Sequence, residues 1–335
     1  RIAKDGTSYN HILEADPVHL IRASVGLAFK RARLRYAYML LRGKDLQSGY
    51  VSEATRAGNL VKFRSALDIV TNLTNWHAFM NIMAEAGYLK DSLISSGNAV
   101  IFSYMLYLIG KNQYNIPVMQ LHKLMRRWVF MVTLTGYYTN SPESTVEKQF
   151  ADLRDVQTAN DFVIYLEGEI MSRFTDDYFN HTLLNDLTTS SIQSPIWYGY
   201  IASLNVLNYP MLFSTTPVSK YFVAGANGKK SAIDVHHIFP KNYLATIGIN
   251  NDRDRNQIAN FTYLDYATNI DISDNPPVKY VAGYRAKLGE LGYQAACEQN
   301  ALPKDFENLE YRVFLVKRRE LMAGIIWKAY CRLSE

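Results

Sequence analysis

Apolar residues recur at three- to four-residue spacing through the first half of the chain, the signature of helices that bury one face. Leu20 to Leu41 shows the pattern, with Lys30, Arg31, Arg33 and Arg35 between the apolar positions. Leu60 to Met83 repeats it through Leu67, Val70, Leu73 and Phe79. Ala99 to Ile109 is nearly all apolar, which predicts a helix buried on every side, and Leu121 to Leu134 predicts another. Asn140-Ser141-Pro142-Glu143 reads as a helix start, with a capping side chain, a proline in the first turn and a carboxylate near the positive end. Helices over 143–153 and 157–172 follow.

The pattern changes near residues 180–195, where Leu187 to Pro195 is polar and turn-rich. A helix from Ile196 to Leu207 bridges to a loop at Gly225 to Lys230. The short apolar run Ile233-Asp234-Val235-His236-His237-Ile238-Phe239-Pro240 then reads as a strand stopped by proline. Phe261 to Leu264 predicts a second strand, and Asp265 is placed to cap a short helix bearing Asn269, which Pro276-Pro277 stops. Amphipathic helices near 278–296 and 306–330 complete the chain. The expected fold is mainly α: an α-helical domain over 1–185, then an α+β domain over 186–335 with flanking helices. No internal repeat or low-complexity tract interrupts it.

Composition narrows the picture only slightly. The length suits two domains, and 48% hydrophobic residues can fill their cores. A net charge of +5 permits nucleic-acid binding without requiring it. The two cysteines, Cys297 and Cys331, form no Cys-x-x-Cys pair, so a zinc ribbon is excluded and a reducing cytoplasm is the expected setting. No apolar run reaches membrane-spanning length and no signal peptide is visible, so no membrane partner is expected. The chain opens on Arg1 without an initiator Met, as expected of a piece of a longer protein.

The candidate chemistry lies in the two strands and the short helix. Neighbouring side chains on a strand face opposite ways, so one of His236 and His237 can face a metal while the other faces a water. Neutral imidazole serves either role. A hard divalent ion tolerates few protein ligands and takes oxygen donors, a part that an Asn carboxamide fills. His11, His19, His77, His122 and His181 read as packed or surface residues.

With Asn260 in Ile258-Ala259-Asn260-Phe261-Thr262-Tyr263-Leu264 and Asn269 in Tyr266-Ala267-Thr268-Asn269-Ile270, the strand Asp234-Val235-His236-His237-Ile238-Phe239-Pro240 resembles the HNH (ββα-metal) endonucleases. The resemblance implies that His237 is the general base and that Asn260 braces the loop and orients that base. His236 and Asn269 would be the metal ligands, His236 standing where the family more often has Asp. Mg²⁺ is the first expectation, and the imidazole at 236 widens the choice to Mn²⁺, Ni²⁺, Co²⁺ or Zn²⁺. Asp234 is either an extra metal or supporting carboxylate or a strand-edge charge. Lys229, Lys230, Lys241, Arg253 and Arg255 flank the site as phosphate contacts or as a solvated loop surface, with Asp252 and Asp254 diluting their field. The Arg31/Arg33/Arg35 run and Arg318-Arg319 read as exposed helix faces.

A helical array carrying Arg127-Trp128-Val129-Phe130 and Leu134-Thr135-Gly136-Tyr137-Tyr138-Thr139-Asn140-Ser141-Pro142-Glu143-Ser144, ahead of an HNH unit, is similar to the GmrSD-type modification-dependent restriction enzymes and related phage-defence proteins. Those proteins carry a ParB-like nucleotidase domain with an Asp-Gly-Gln-Gln-Arg motif. Asp5-Gly6-Thr7-Ser8-Tyr9 is not that motif, so the chain reads as the part that follows the nucleotidase. The resemblance implies a metal-dependent endonuclease or nickase for double-stranded, phage or modified DNA, working with a nucleotidase domain or partner subunit. The alternatives are a DNA-binding or regulatory module with weak or no cleavage, and a helical interaction scaffold that is active only in a larger assembly.

Overall fold

The computed structural model describes residues 12, 13, 15–46, 48–222 and 233–335, with the side chains of Ile233 and Asp234 excepted. The chain divides into two compact units, one spanning 1–86 and 96–173, the other 87–95 and 174–335.

Eight helices make up the described part of the first unit: α1 (Pro17–Phe29), α2 (Leu34–Leu41), α3 (Glu53–Val70), α4 (Leu73–Glu85), α5 (Gly97–Asn112), α6 (Val118–Thr135), α7 (Pro142–Asp152) and α8 (Ala159–Arg173). Two stretches that read as continuous helices are each broken. The first breaks at Lys30, whose backbone turns left-handed (φ 54°), so Arg31 and Arg33 lie in a connection and only Arg35 is helical. The second breaks at Asn72, whose side chain accepts from the backbone N–H of Thr74 and Asn75 and starts α4. The apolar period runs through both breaks because the helices on either side bury a face. At the start of α7 the Ser141 side chain makes no capping bond, and Pro142 alone marks the turn. The core is built around α5, buried without interruption from Ala99 to Gly110, with Trp76, Phe79, Trp128 and Phe130 packed in the same unit.

In the second unit a π-helical turn at Tyr178–Thr182 runs into α9 (Leu183–Asp186). Next comes α10 (Pro195–Val206), opened by Ser194, whose hydroxyl accepts from Trp197 N–H at 3.3 Å. Strand β1 (Ile233–His237) precedes α11 (Lys241–Thr246) and α12 (Asp252–Arg255). Strand β2 (Phe261–Asp265) leads directly into α13 (Tyr266–Ile272). Two long helices follow, α14 (Pro277–Gln299) and α15 (Tyr311–Leu333), and α15 packs along α10. Helix α13 ends before the prolines, and Pro277 opens α14. Among the described residues β1 and β2 form the only sheet, an antiparallel pair with Val235 opposite Tyr263, His236 opposite Thr262 and His237 opposite Phe261. No helix among the described residues is long and apolar enough to cross a membrane.

Candidate active site

Both histidines stand at the end of β1, half-buried and on opposite faces by the alternation of the strand. Antiparallel pairing sets His237 against Phe261, and the two rings meet edge to face with centroids 4.6 Å apart. From the other side His237 Nε2 lies 3.0 Å from Asn256 Oδ1. Burial pushes the His237 imidazole down to about 4, against the upward pull of the Asn256 hydrogen bond and with help from the charges of Lys241, His236 and Arg255. The ring is therefore uncharged at neutral pH.

Asn260 is fully buried in a tight turn just before β2. Its Oδ1 accepts from Phe239 N–H at 2.9 Å, and its Nδ2 donates to the carbonyls of Phe239 at 3.0 Å and Arg255 at 3.1 Å. Its own carbonyl accepts from Ile238 N–H at 2.8 Å. Asn260 thus ties the segment after the histidines to the start of β2, while the side-chain bond to His237 comes from Asn256. Asn256 carries no motif signal in the sequence beyond the Asn-x-x-x-Asn spacing with Asn260, which places it on the segment that Asn260 anchors.

Helices α14 and α15 hold this loop from behind. Tyr280 donates to Ile238 O at 2.8 Å and Tyr311 to Asp254 O at 2.9 Å. Arg318, expected on an exposed face, is fully buried: Nη1 donates to Ala259 O at 2.8 Å, next to Asn260. Its one-letter context looks like a surface charge pair, and only the tertiary packing turns it inward. Arg319 Nη2 donates to Gln257 Oε1 at 2.9 Å.

Asn269 sits on α13, which the Asp265 side chain caps by accepting from Thr268 N–H at 2.8 Å. Helix α13 packs against both strands, so the local order is strand, strand, helix, with His236, His237 and Asn269 all carried by it. Asp234 pairs with Leu264 through the backbone, and its side chain lies outside the described residues, as do Lys229 and Lys230. Lys241 opens α11, half-buried; Arg253 is exposed; neither has an ion-pair partner among the described residues. Arg255 is held by Asp252 at 2.8 Å.

Among the described residues no three His, Cys, Asp or Glu side chains gather as a metal-holding group. The ligands that the resemblance implies are one imidazole, His236 on β1, and one carboxamide oxygen, Asn269 on α13. A set of that chemistry does not suit a closed four-ligand zinc site; it would suit an ion that keeps most of its shell as water and phosphate oxygen. No protein-family model, curated protein or solved structure matches the chain.

Proposed function

We propose that this chain is a metal-dependent endonuclease or nickase of the HNH type that hydrolyses DNA. The observation that carries the reading is His237: an uncharged, packed imidazole, hydrogen-bonded at one nitrogen, beside His236 and in the same strand-strand-helix unit as Asn269. His237 takes a proton from a water that attacks phosphorus in line, a role that needs the neutral ring it has at working pH. With a carboxamide oxygen facing Nε2, that nitrogen carries the proton and Nδ1 is the basic atom. Phe261 and Asn256 fix the plane of the ring, and Asn260 fixes the backbone that follows it. His236 and Asn269 would hold a divalent ion, Mg²⁺ first, which supplies Lewis-acid stabilisation of the charge gathering on the phosphate and leaving oxygen. Lys241 and Arg253 offer phosphate contacts at the rim. Phage or modified DNA is the proposed substrate, with a nucleotidase domain or subunit as partner, on the strength of the resemblance of the helical array.

The test is cleavage of supercoiled plasmid, modified and unmodified, by wild type, His237→Ala and Asn269→Ala with Mg²⁺, Mn²⁺ or Ni²⁺. Nicking or linearisation that disappears with EDTA and with His237→Ala supports the proposal. Folded wild-type protein that leaves every plasmid intact with every metal would leave the DNA-binding module as the better reading.

A further inference from the structure

The net charge of +5 is unevenly held. The first unit has 19 Lys and Arg against 14 Asp and Glu, whereas the second has 17 against 17. The excess concentrates in residues 31–64, with eight basic residues and two acidic ones. The described residues of this stretch form one structural piece. Helices α2 and α3 are joined by a turn closed by the Lys44–Val51 bridge, by Ser52 N–H to Gly43 O at 3.1 Å, and by Asn59 Nδ2 to Leu40 O at 2.8 Å.

Several of these cations are unneutralised. Arg31 is paired with Glu147 and Arg56 with Glu53. Arg35, Arg42, Lys62 and Arg64 are exposed and have no carboxylate partner among the described residues. Arg35, Tyr38 and Arg42 share one side of α2 by their three- and four-residue spacing. Arg42 donates to Tyr38 Oη at 2.6 Å and lies 5.3 Å from the ring centroid, so it is oriented while its charge stays in solvent. Tyr38 is 64% exposed, and Tyr50, in the turn, is 80% exposed. An ordinary solvated face mixes signs, as Asp252-Arg253-Asp254-Arg255 does in the second unit. The hairpin of α2 and α3 combines a strong excess of positive charge, with only Asp45 and Glu53 against it over residues 31–64, and large exposed aromatic rings, the pairing that follows a phosphate backbone and stacks on bases.

We propose that the α2–α3 hairpin is a nucleic-acid-binding surface, with Arg35 and Arg42 gripping phosphates, Lys62 and Arg64 adding positive charge from opposite flanks of α3, and Tyr38 and Tyr50 stacking on unpaired bases. The inference goes beyond the nuclease reading, because binding there requires no cleavage.

Fluorescence anisotropy in EDTA, with a labelled DNA duplex and its single strand, tests it across a salt series. The variant Arg35→Gln/Arg42→Gln/Lys62→Gln/Arg64→Gln is compared with Lys220→Gln/Lys304→Gln/Arg312→Gln/Lys317→Gln, an equal charge change on exposed residues of the second unit. The first is expected to lose about ten-fold or more in affinity and to flatten the salt slope by roughly one per lost phosphate contact, with the second within about two-fold of wild type. Tyr38→Ala/Tyr50→Ala is expected to weaken the single strand more than the duplex. Equal losses in the two quadruple variants, no loss in either, or wild-type binding to anionic vesicles but not to DNA would overturn the proposal; equal effects of the tyrosine change on both DNA forms would overturn the stacking part. Cleavage without dependence on the hairpin rejects this surface and leaves the nuclease reading standing. Hairpin-dependent binding without cleavage does the reverse.

Discussion

Asn260 commits its whole carboxamide to backbone groups, so its two nearest replacements separate shape from hydrogen bonding. Asn260→Ala leaves the buried N–H and C=O of Phe239 unpaired and is expected to cost about 2–4 kcal/mol of unfolding free energy. Asn260→Asp keeps the acceptor for Phe239 N–H but turns an oxygen towards two carbonyls, and is expected to cost at least as much at neutral pH. Urea unfolding decides it; an Asp variant as stable as wild type would mean that the two donated bonds do not form. His237 gives a pH-dependent counterpart. Burial holds it at about 4 against an ordinary 6.5, so on acidification the unfolded chain takes up the proton first. The contribution of the neutral ring is fully present above about 6.5 and is lost as pH falls towards 4. In EDTA, wild type is therefore expected to lose stability relative to His237→Gln across that window. A constant difference between the two proteins would show that the ring is not sequestered.

At the scale of elements, two glycines of α14 should respond in opposite directions. Gly289 interrupts the helix at φ 70°, ψ 166°, a conformation essentially confined to glycine, so Gly289→Ala is expected to destabilise by about 1–3 kcal/mol although nothing stands in the way of a methyl group. Gly283 is exposed, helical and equally uncrowded, so Gly283→Ala is expected to stabilise by up to about 1 kcal/mol. A shared sign in urea unfolding would show that the interruption at Gly289 is not a feature of the folded state. Helix α13 has only seven residues, and its start depends on Asp265. Asp265→Ala is expected to lose about 1 kcal/mol, and Asp265→Asn, which keeps the acceptor, to recover most of it; equal losses would show that the side chain at 265 does not cap α13. These elements also show what the sequence made legible. The Asp265 cap, the helix that follows the turn-rich stretch ending at Pro195, the buried α5 and the two short strands all follow from local chemistry at a few adjacent residues. The breaks at Lys30 and Asn72 were hidden because the apolar period continues across them. Arg318 could not be read as buried, since its partners, the carbonyls of Ala259 and Asn300, are set by tertiary packing. Asn256 escaped for the same reason: its partner lies nineteen residues away on β1.

At the scale of the whole molecule, charge and candidate chemistry reside in different units. The excess of positive charge lies in the helical unit, while the strand-strand-helix unit with His237 is balanced. On the proposed nuclease reading, long-range attraction to the polyanion would depend mainly on the first unit, and the chemical step on the second. Steady-state kinetics on plasmid can separate the two contributions. Raising salt screens exposed charges and is expected to raise KM steeply while leaving kcat nearly constant. The Arg35→Gln/Arg42→Gln/Lys62→Gln/Arg64→Gln variant should resemble wild type at high salt, with KM raised, kcat within about two-fold, and a weaker further response to salt. His237→Ala should show the opposite, with kcat reduced by about a hundred-fold or more, as expected for loss of a general base, and an unchanged salt response of binding. If instead the hairpin variant lowered kcat as much as it raised KM, the two units would not act separately. The helical unit would then have to take part in the transition state itself, and a division between recognition and chemistry could not be maintained.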